Sequence, residues 1–172
     1  DGVPGVALFL ARLASVTDEA RHRLFAEQAA VGLLEALEGR RGLLSIGAFS
    51  GWGGVIYALT HLGVLLGSCD YVDRADTLVP LVEMLVDCDE ALDIQAGSAG
   101  AIMGLAALQA VRPSDRTVSA IRACASRLLV RAERLPIGYG WRASSVSVHP
   151  PLIGFPEGAA GIALALLTAS AL

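Results

Sequence analysis

The chain has 172 residues, 54% of them hydrophobic and 5% aromatic, with a net charge of −4. That suffices for one cored domain but is poor in the aromatic and β-branched runs that sheets use, so one helical domain is expected. All 13 basic side chains are arginine, which excludes a Schiff-base lysine, a Walker lysine and a lysine-rich nucleic-acid patch; no nucleic-acid partner is expected.

A Gly-x-x-Gly followed by about ten mostly apolar residues occurs four times, opening at Gly2, Gly51, Gly97 and Gly158. The second glycines, Gly5, Gly54, Gly100 and Gly161, are 49, 46 and 61 residues apart, the period of a repeated two-helix unit. In chain order, a first inner helix is expected over Val3 to Ala14, and Thr17, Asp18 and Glu19 supply a cap and acidic first turn for an outer helix. Ala30, Leu33, Leu34 and Leu37 recur at helical spacing in that helix, and Gly39 is a stop signal. Residues 42–53 are a glycine-rich loop into a second inner helix, Gly54 to Leu66. Residues 70–90 form an outer element that is either two short helices or one kinked at Pro80.

A third inner helix covers Ser98 to Val111, and Pro113-Ser114-Asp115 restarts the chain into an arginine-rich outer helix with Val118, Ile121, Ala125 and Leu128 inward. Residues 136–153 are too broken by glycine and proline for regular structure. A fourth inner helix, Ile162 to Leu172, closes the chain.

Charge follows the same division: 27 of 30 formal charges lie in segments 17–42, 70–93 and 112–142. A helix apolar all round must be buried and one with a polar face lies outside, so uncharged helices form an inner layer wrapped by charged ones. The uncharged stretches 43–69 and 94–111 are interrupted by glycine, serine, threonine and histidine, so no membrane span is expected. Cys69, Cys88 and Cys124, an odd number with no Cys-x-x-Cys, indicate neither a disulfide framework nor a zinc knuckle but reduced core thiols in a cytoplasmic protein. The opening at Asp1, inside a motif and without an initiator methionine, suggests a fragment of something longer. If all inner helices present their glycine-bearing N-termini to one end, free N–H groups and dipoles would make that end hospitable to anionic intermediates.

Four ordered blocks now carry a resemblance: Asp1-Gly-Val-Pro-Gly-Val-Ala-Leu-Phe-Leu-Ala11, Ile46-Gly-Ala-Phe-Ser-Gly-Trp-Gly-Gly-Val-Ile-Tyr-Ala-Leu-Thr-His-Leu-Gly63, Asp93-Ile-Gln-Ala-Gly-Ser-Ala-Gly-Ala-Ile102 and Gly154-Phe-Pro-Glu-Gly-Ala-Ala-Gly-Ile-Ala163. They resemble the LanC-like cyclase domain of lanthionine synthetases, most of all the C-terminal domain of the bifunctional class II enzymes. The resemblance implies an all-α, two-layer α/α toroid around a zinc ion. Here it would be a partial toroid over 1–172, with about four inner and three outer helices, corresponding to the first half in sequence order. It implies zinc-dependent addition of peptide cysteine thiols to dehydroalanine or dehydrobutyrine, giving thioether rings in a precursor peptide.

Two departures accompany it. The family's zinc ligands come from Trp-Cys-x-Gly and Cys-His-Gly motifs, which this chain lacks; no metal ligand is assigned, no zinc is expected for this chain alone, and the chain alone is expected to be inactive. Where the family has Gly-Phe-Ser-His-Gly, this chain has Pro156-Glu157. Glu157, an ordinary carboxylic acid beginning a helix, replaces a group that titrates near neutrality. Asp93 matches the family aspartate that precedes the third inner glycine motif, where the resemblance implies a general acid or base; its alternative role is to cap the turn. Trp52 and Trp141 could line a peptide cleft or pack in the core. His61 reads as a core histidine and His149 as solvated.

Other readings remain open at this point. A non-catalytic degenerate toroid would hold a peptide, and an α/α-toroid glycoside hydrolase would pair Asp93 with Glu157. Ala96-Gly-Ser-Ala-Gly100 approximates a hydrolase nucleophile elbow without its first glycine or its strand. A partial toroid would leave apolar flanks on its first and last inner helices, so self-association or a missing C-terminal half is expected.

Overall fold

The structure, a computed structural model, describes residues 2–38, 45–142 and 150–172. Gly39, the start of the 42–53 loop and His149 lie outside these residues.

Helix α1 (Val3–Thr17) carries proline in its first turn, where no intrahelical N–H is needed. It runs past the expected end at Ala14. Asp18, in the left-handed conformation at φ 54°, closes it by donating its N–H to the Ala14 carbonyl, and the Thr17 hydroxyl donates back to Leu13 at 2.9 Å. Residues expected to cap the next helix therefore terminate this one, because a short polar side chain tolerates the left-handed region better than most. Helix α2 (Ala20–Glu38) buries Ala26, Ala30, Leu33 and Leu37.

Helix α3 (Trp52–Leu66) starts two residues earlier than expected and ends on Gly67 at φ 71°, a left-handed cap that glycine adopts without strain. Helices α4 (Cys69–Asp76) and α5 (Val79–Leu85) are separate, with Pro80 in the first turn of α5 rather than at a kink. A 3₁₀ turn covers Val86–Cys88. Helix α6 (Ser98–Val111) has the expected bounds. Helix α7 (Asp115–Val130) is capped by the Ser114 hydroxyl, which accepts from the Thr117 N–H at 3.1 Å. Strands β1 (Glu133–Arg134) and β2 (Tyr139–Gly140) pair antiparallel, so part of the segment expected to lack regular structure carries a strand. Helix α8 (Ala159–Ser170) ends the chain.

The inner helices pack in an arc, α1 on α3, α3 on α6 and α6 on α8, while α2, the α4–α5 pair and α7 pack on their outer side. In the middle of the arc burial follows charge, while the almost uncharged flanking helices α1 and α8 bury only two and three residues. Helix α6 buries eight of its first eleven residues, among them Ile102, Leu105 and Leu108, whereas α7 buries a single stripe of Thr117, Ala120, Ile121, Cys124 and Leu128. Each fully buried aliphatic side chain contributes about 1.5–3 kcal/mol from area removed from water. Glycine sets the spacing of the inner layer: a β-carbon on Gly104 would lie 2.2 Å from the Gly53 carbonyl oxygen across the α3–α6 seam. Ion pairs join the outer helices to one another and to the inner layer, Arg116 of α7 with Glu83 of α5 and Arg112 at the end of α6 with Asp73 of α4. The fold is an all-α, two-layer partial toroid, and no helix among the described residues is long and apolar enough to cross a membrane.

Candidate active site at Asp93

The loops that enter α3, α6 and α8 lie side by side. Gly47, Ala48 and Phe49 donate backbone N–H groups to the carbonyls of Ala96, Ile94 and Gln95 at 2.9–3.0 Å, and Ile94 and Gln95 in turn donate to the Pro156 carbonyl at 3.1 and 3.2 Å. The three helix N-termini are thereby held at one end of the array. The second glycines have one job in all three: a β-carbon on Gly54, Gly100 or Gly161 would lie 2.1 Å from the carbonyl oxygen six residues earlier, that of Ala48, Ile94 or Phe155. Gly5, the fourth member of the pattern, has nothing within 4 Å.

The same wrapping removes the free amides expected at these N-termini. Trp52, Gly53 and Gly54 donate to the carbonyls of Ser45, Ile46 and Gly47, Ala99 and Gly100 to those of Leu92 and Asp93, and Ala159 to that of Leu152. The loops entering α3 and α6 fold back over their own helices and consume these N–H groups internally, and the loop entering α8 does the same for Ala159. The chemistry of this end rests on side chains instead.

Asp93 is the foremost of these. It takes the position that glycine holds in the flanking loops, at Gly47 and Gly154, and it is 8% exposed. Its carboxylate accepts from the Ala96 N–H at 2.8 Å, and its carbonyl accepts from Gly97 and Gly100 at 3.1 Å. The capping reading of Asp93 is thus realised, and it leaves the carboxyl with an unusual environment. Burial pushes its pKa up and is only partly opposed by the Ala96 N–H; the Glu157 and Asp89 carboxylates push it further up. Glu157 itself is exposed, on the loop before α8, so the two carboxyls named from the sequence are electrostatic neighbours across adjacent loops.

The aromatics divide. Trp52 is 5% exposed and belongs to the core. Trp141 is half-buried, its indole N–H donating to the Leu128 carbonyl at 2.7 Å. Phe49, Ile153 and Phe155, which the sequence did not single out, are 78%, 86% and 50% exposed on the loops entering α3 and α8; the available signal was large apolar residues in loops between helices. Ser98 is fully buried at the first position of α6 and its Oγ donates to Asp89 at 2.5 Å, so the elbow-like sequence presents no nucleophile. His61 lies half-buried on α3, its ring 4.2 Å from that of Tyr57, and burial pushes its pKa down.

Zinc of the kind the resemblance implies takes thiolate and imidazole ligands at one point. Cys69 begins α4, Cys88 ends the 3₁₀ turn and Cys124 lies inside α7, three separate elements, and of the thiols expected in the core only Cys124 is buried, Cys69 and Cys88 being exposed. Burial drives the Cys124 thiol up to about 12, so it stays protonated. Cys69, Asp70 and Asp73 bring ligand atoms within 4.8 Å of one another on exposed α4, but two carboxylates with one thiol are a harder set than zinc thiolate sites use, and Asp73 is already paired with Arg112. The described residues do not fit that zinc site.

The profile of the family described as Lanthionine synthetase C-like protein matches residues 1–172. The chain belongs to the LanC-like family. No curated protein matches it. Membership accounts for the helical toroid architecture and identifies the chain as a lanthionine synthetase C-like domain.

Proposed function

We propose that this LanC-like chain is part of a lanthionine synthetase cyclase domain, the family activity being zinc-dependent addition of peptide cysteine thiols to dehydroalanine or dehydrobutyrine, and that Asp93 is its proton-transfer group. In that reaction a sulfur–Cβ bond forms, the Cα=Cβ π bond breaks, and the proton lost by the thiol is replaced by one delivered to Cα. A buried carboxyl at the loop end, its pKa raised above the ordinary carboxylate value by burial, holds its proton more firmly than a solvated one and is placed to exchange it with the reacting groups. The position of Asp93, buried yet at the motif end of the array, is the observation that carries the reading. The exposed side chains of Phe49, Ile153 and Phe155 offer a docking surface for a precursor peptide in the cytoplasm; Trp141 keeps an exposed edge, while Trp52 serves from the core.

The test is Asp93→Asn in the intact, zinc-loaded synthetase of which this chain would be part, with a dehydrated precursor peptide as substrate. The amide can still accept from Ala96, so the fold persists, while ring formation falls on the order of 10²-fold or more. Because cyclisation does not change mass, rings are counted as thiols lost to alkylation. Unchanged cyclisation with normal thermal unfolding would reduce Asp93 to a cap. The placement of all three thiols on outer elements favours a second reading, a toroid that holds a peptide without processing it; peptide binding unaccompanied by ring formation would establish it. The arc also exposes Val6 and Phe9 on α1 and Leu167 on α8, and these flanks would be covered by self-association or by further toroid helices.

A further inference from the structure

Asp89 lies outside every motif that organises this chain, yet it is buried and four hydrogen bonds converge on its carboxylate. Oδ1 accepts from the N–H groups of Ala91 at 3.0 Å and Leu92 at 3.4 Å. Oδ2 accepts from the N–H of Ser98 at 2.7 Å and from its hydroxyl at 2.5 Å. The backbone of Asp89 is fixed as well, because the Arg127 guanidinium donates to its carbonyl through Nε at 2.9 Å and Nη2 at 2.6 Å, and Arg127 and Arg131 both grip the neighbouring Glu90.

Between Asp89 and Asp93 stands Leu92, at φ 67°. A buried leucine in the left-handed region carries a cost that surrounding contacts must offset. The corresponding residues of the flanking loops, Ile46 and Ile153, are not in that region. The helix entries differ too. The first N–H of α3 goes to the Ser45 carbonyl and that of α8 to the Leu152 carbonyl, whereas the first N–H of α6 goes to the Asp89 side chain. The one loop with a carboxyl in place of glycine is the one with a side-chain anchor and an inverted backbone.

Building on the cyclase reading, we infer that Asp89 is a positioning residue for Asp93: through Leu92 and Ser98 it locks the strained turn that holds the Asp93 carboxyl buried at the head of α6. It also faces Asp93 as a charge. The charged groups around Asp93 are Asp89 from its own turn and Glu157 from the loop before α8, and both push the Asp93 pKa upward.

The test follows the Asp93 carboxyl by carbon-detected NMR titration, with hydrogen exchange at Leu92, Ala96 and Ser98, in the chain carrying Asp89→Asn and, separately, Ser98→Ala. Asp89→Asn should lower the Asp93 titration midpoint and speed exchange at all three amides by tenfold or more. Ser98→Ala deletes a single donor and should speed exchange at the same amides by a smaller factor, with the rest of the chain unchanged; it decides the matter if Asp89→Asn does not fold. Loss of the Asp89 charge lowers the midpoint by itself, so the positioning role is read from the exchange rates: an Asp89 acting on Asp93 through charge alone would leave all three amides unchanged. Unaltered exchange at these amides in folded Asp89→Asn, or in Ser98→Ala, overturns the inference. Neither readout needs turnover: if Asp93→Asn leaves ring formation intact while these shifts appear, the proton-transfer role of Asp93 fails and the positioning role of Asp89 stands.

Discussion

Gly100 and Ile94 approach so closely that a β-carbon on Gly100 would lie 2.1 Å from the Ile94 carbonyl oxygen and 2.3 Å from the Ala48 nitrogen, which donates to that oxygen. Both neighbours are backbone, one from the residue's own loop and one from the preceding repeat, so neither can rotate aside. Gly100→Ala should cost about 3 kcal/mol or more, since the seam between two repeats must open. Gly5→Ala, at a helical site with nothing within 4 Å, should stabilise by up to about 1 kcal/mol through helix propensity. Denaturant midpoints of the two variants measure the contrast, and equal effects would contradict the packing described.

Asp93→Asn should change stability in a pH-dependent way. The Asp93 pKa is raised in the folded chain, so between the ordinary value of 3.8 and the higher folded value the native state binds more protons than the unfolded state. Stability contributed by this residue therefore falls as pH rises through that window, and ionised Asp93 is a burden above it. Asparagine carries no such burden: the variant should be the more stable at pH 7 and lose that advantage as the pH drops below the window. Thermal unfolding of both proteins across pH 3 to 7 checks the sign; an advantage that grows on acidification would refute it.

Thiol reactivity should divide by layer. Cys69 and Cys88 are exposed, and Cys124 is buried with its pKa driven to about 12. Thiolate is the reactive form, so alkylation at neutral pH should label Cys69 and Cys88 quickly and Cys124 only on unfolding. Mass spectrometry of the timed reaction would show it. Rapid labelling of all three would mean that α7 is not packed as described.

Metal content should be low. The described thiols are dispersed over outer elements, so purified chain should hold well under one equivalent of zinc. Stoichiometric zinc lost on mutating Cys69, Cys88 or Cys124 would show that these thiols converge in solution after all.

The flanks of the arc should drive association. Phe9 on α1 and Leu167 on α8 are both mostly exposed, on helices whose sequences carry almost no charge to keep them in water. Light scattering at micromolar concentration should find species heavier than the 17.8 kDa chain, and Phe9→Ser with Leu167→Ser should shift them toward monomer. A stable monomer that binds no hydrophobic dye would show that these surfaces need no cover.

The sequence by itself determined the layers. Charge confined to alternate segments decides which helices face water, and a glycine repeated at the period of a two-helix unit marks where each inner helix begins; both are local facts about solvation and backbone reach. Asp93 was legible because it stands in a repeated block. Tertiary structure alone decided what surrounds it. Nothing in the series Asp89 to Ser98 announces that one carboxylate collects four donors, that Leu92 is turned into the left-handed region, or that Glu157, 64 residues away in sequence, lies on the adjoining loop. The expected anion-binding amides failed for the same reason: whether a helix N-terminus is free depends on where the preceding loop goes, and here the packing of neighbouring repeats folds each loop back onto the amides it would otherwise leave open.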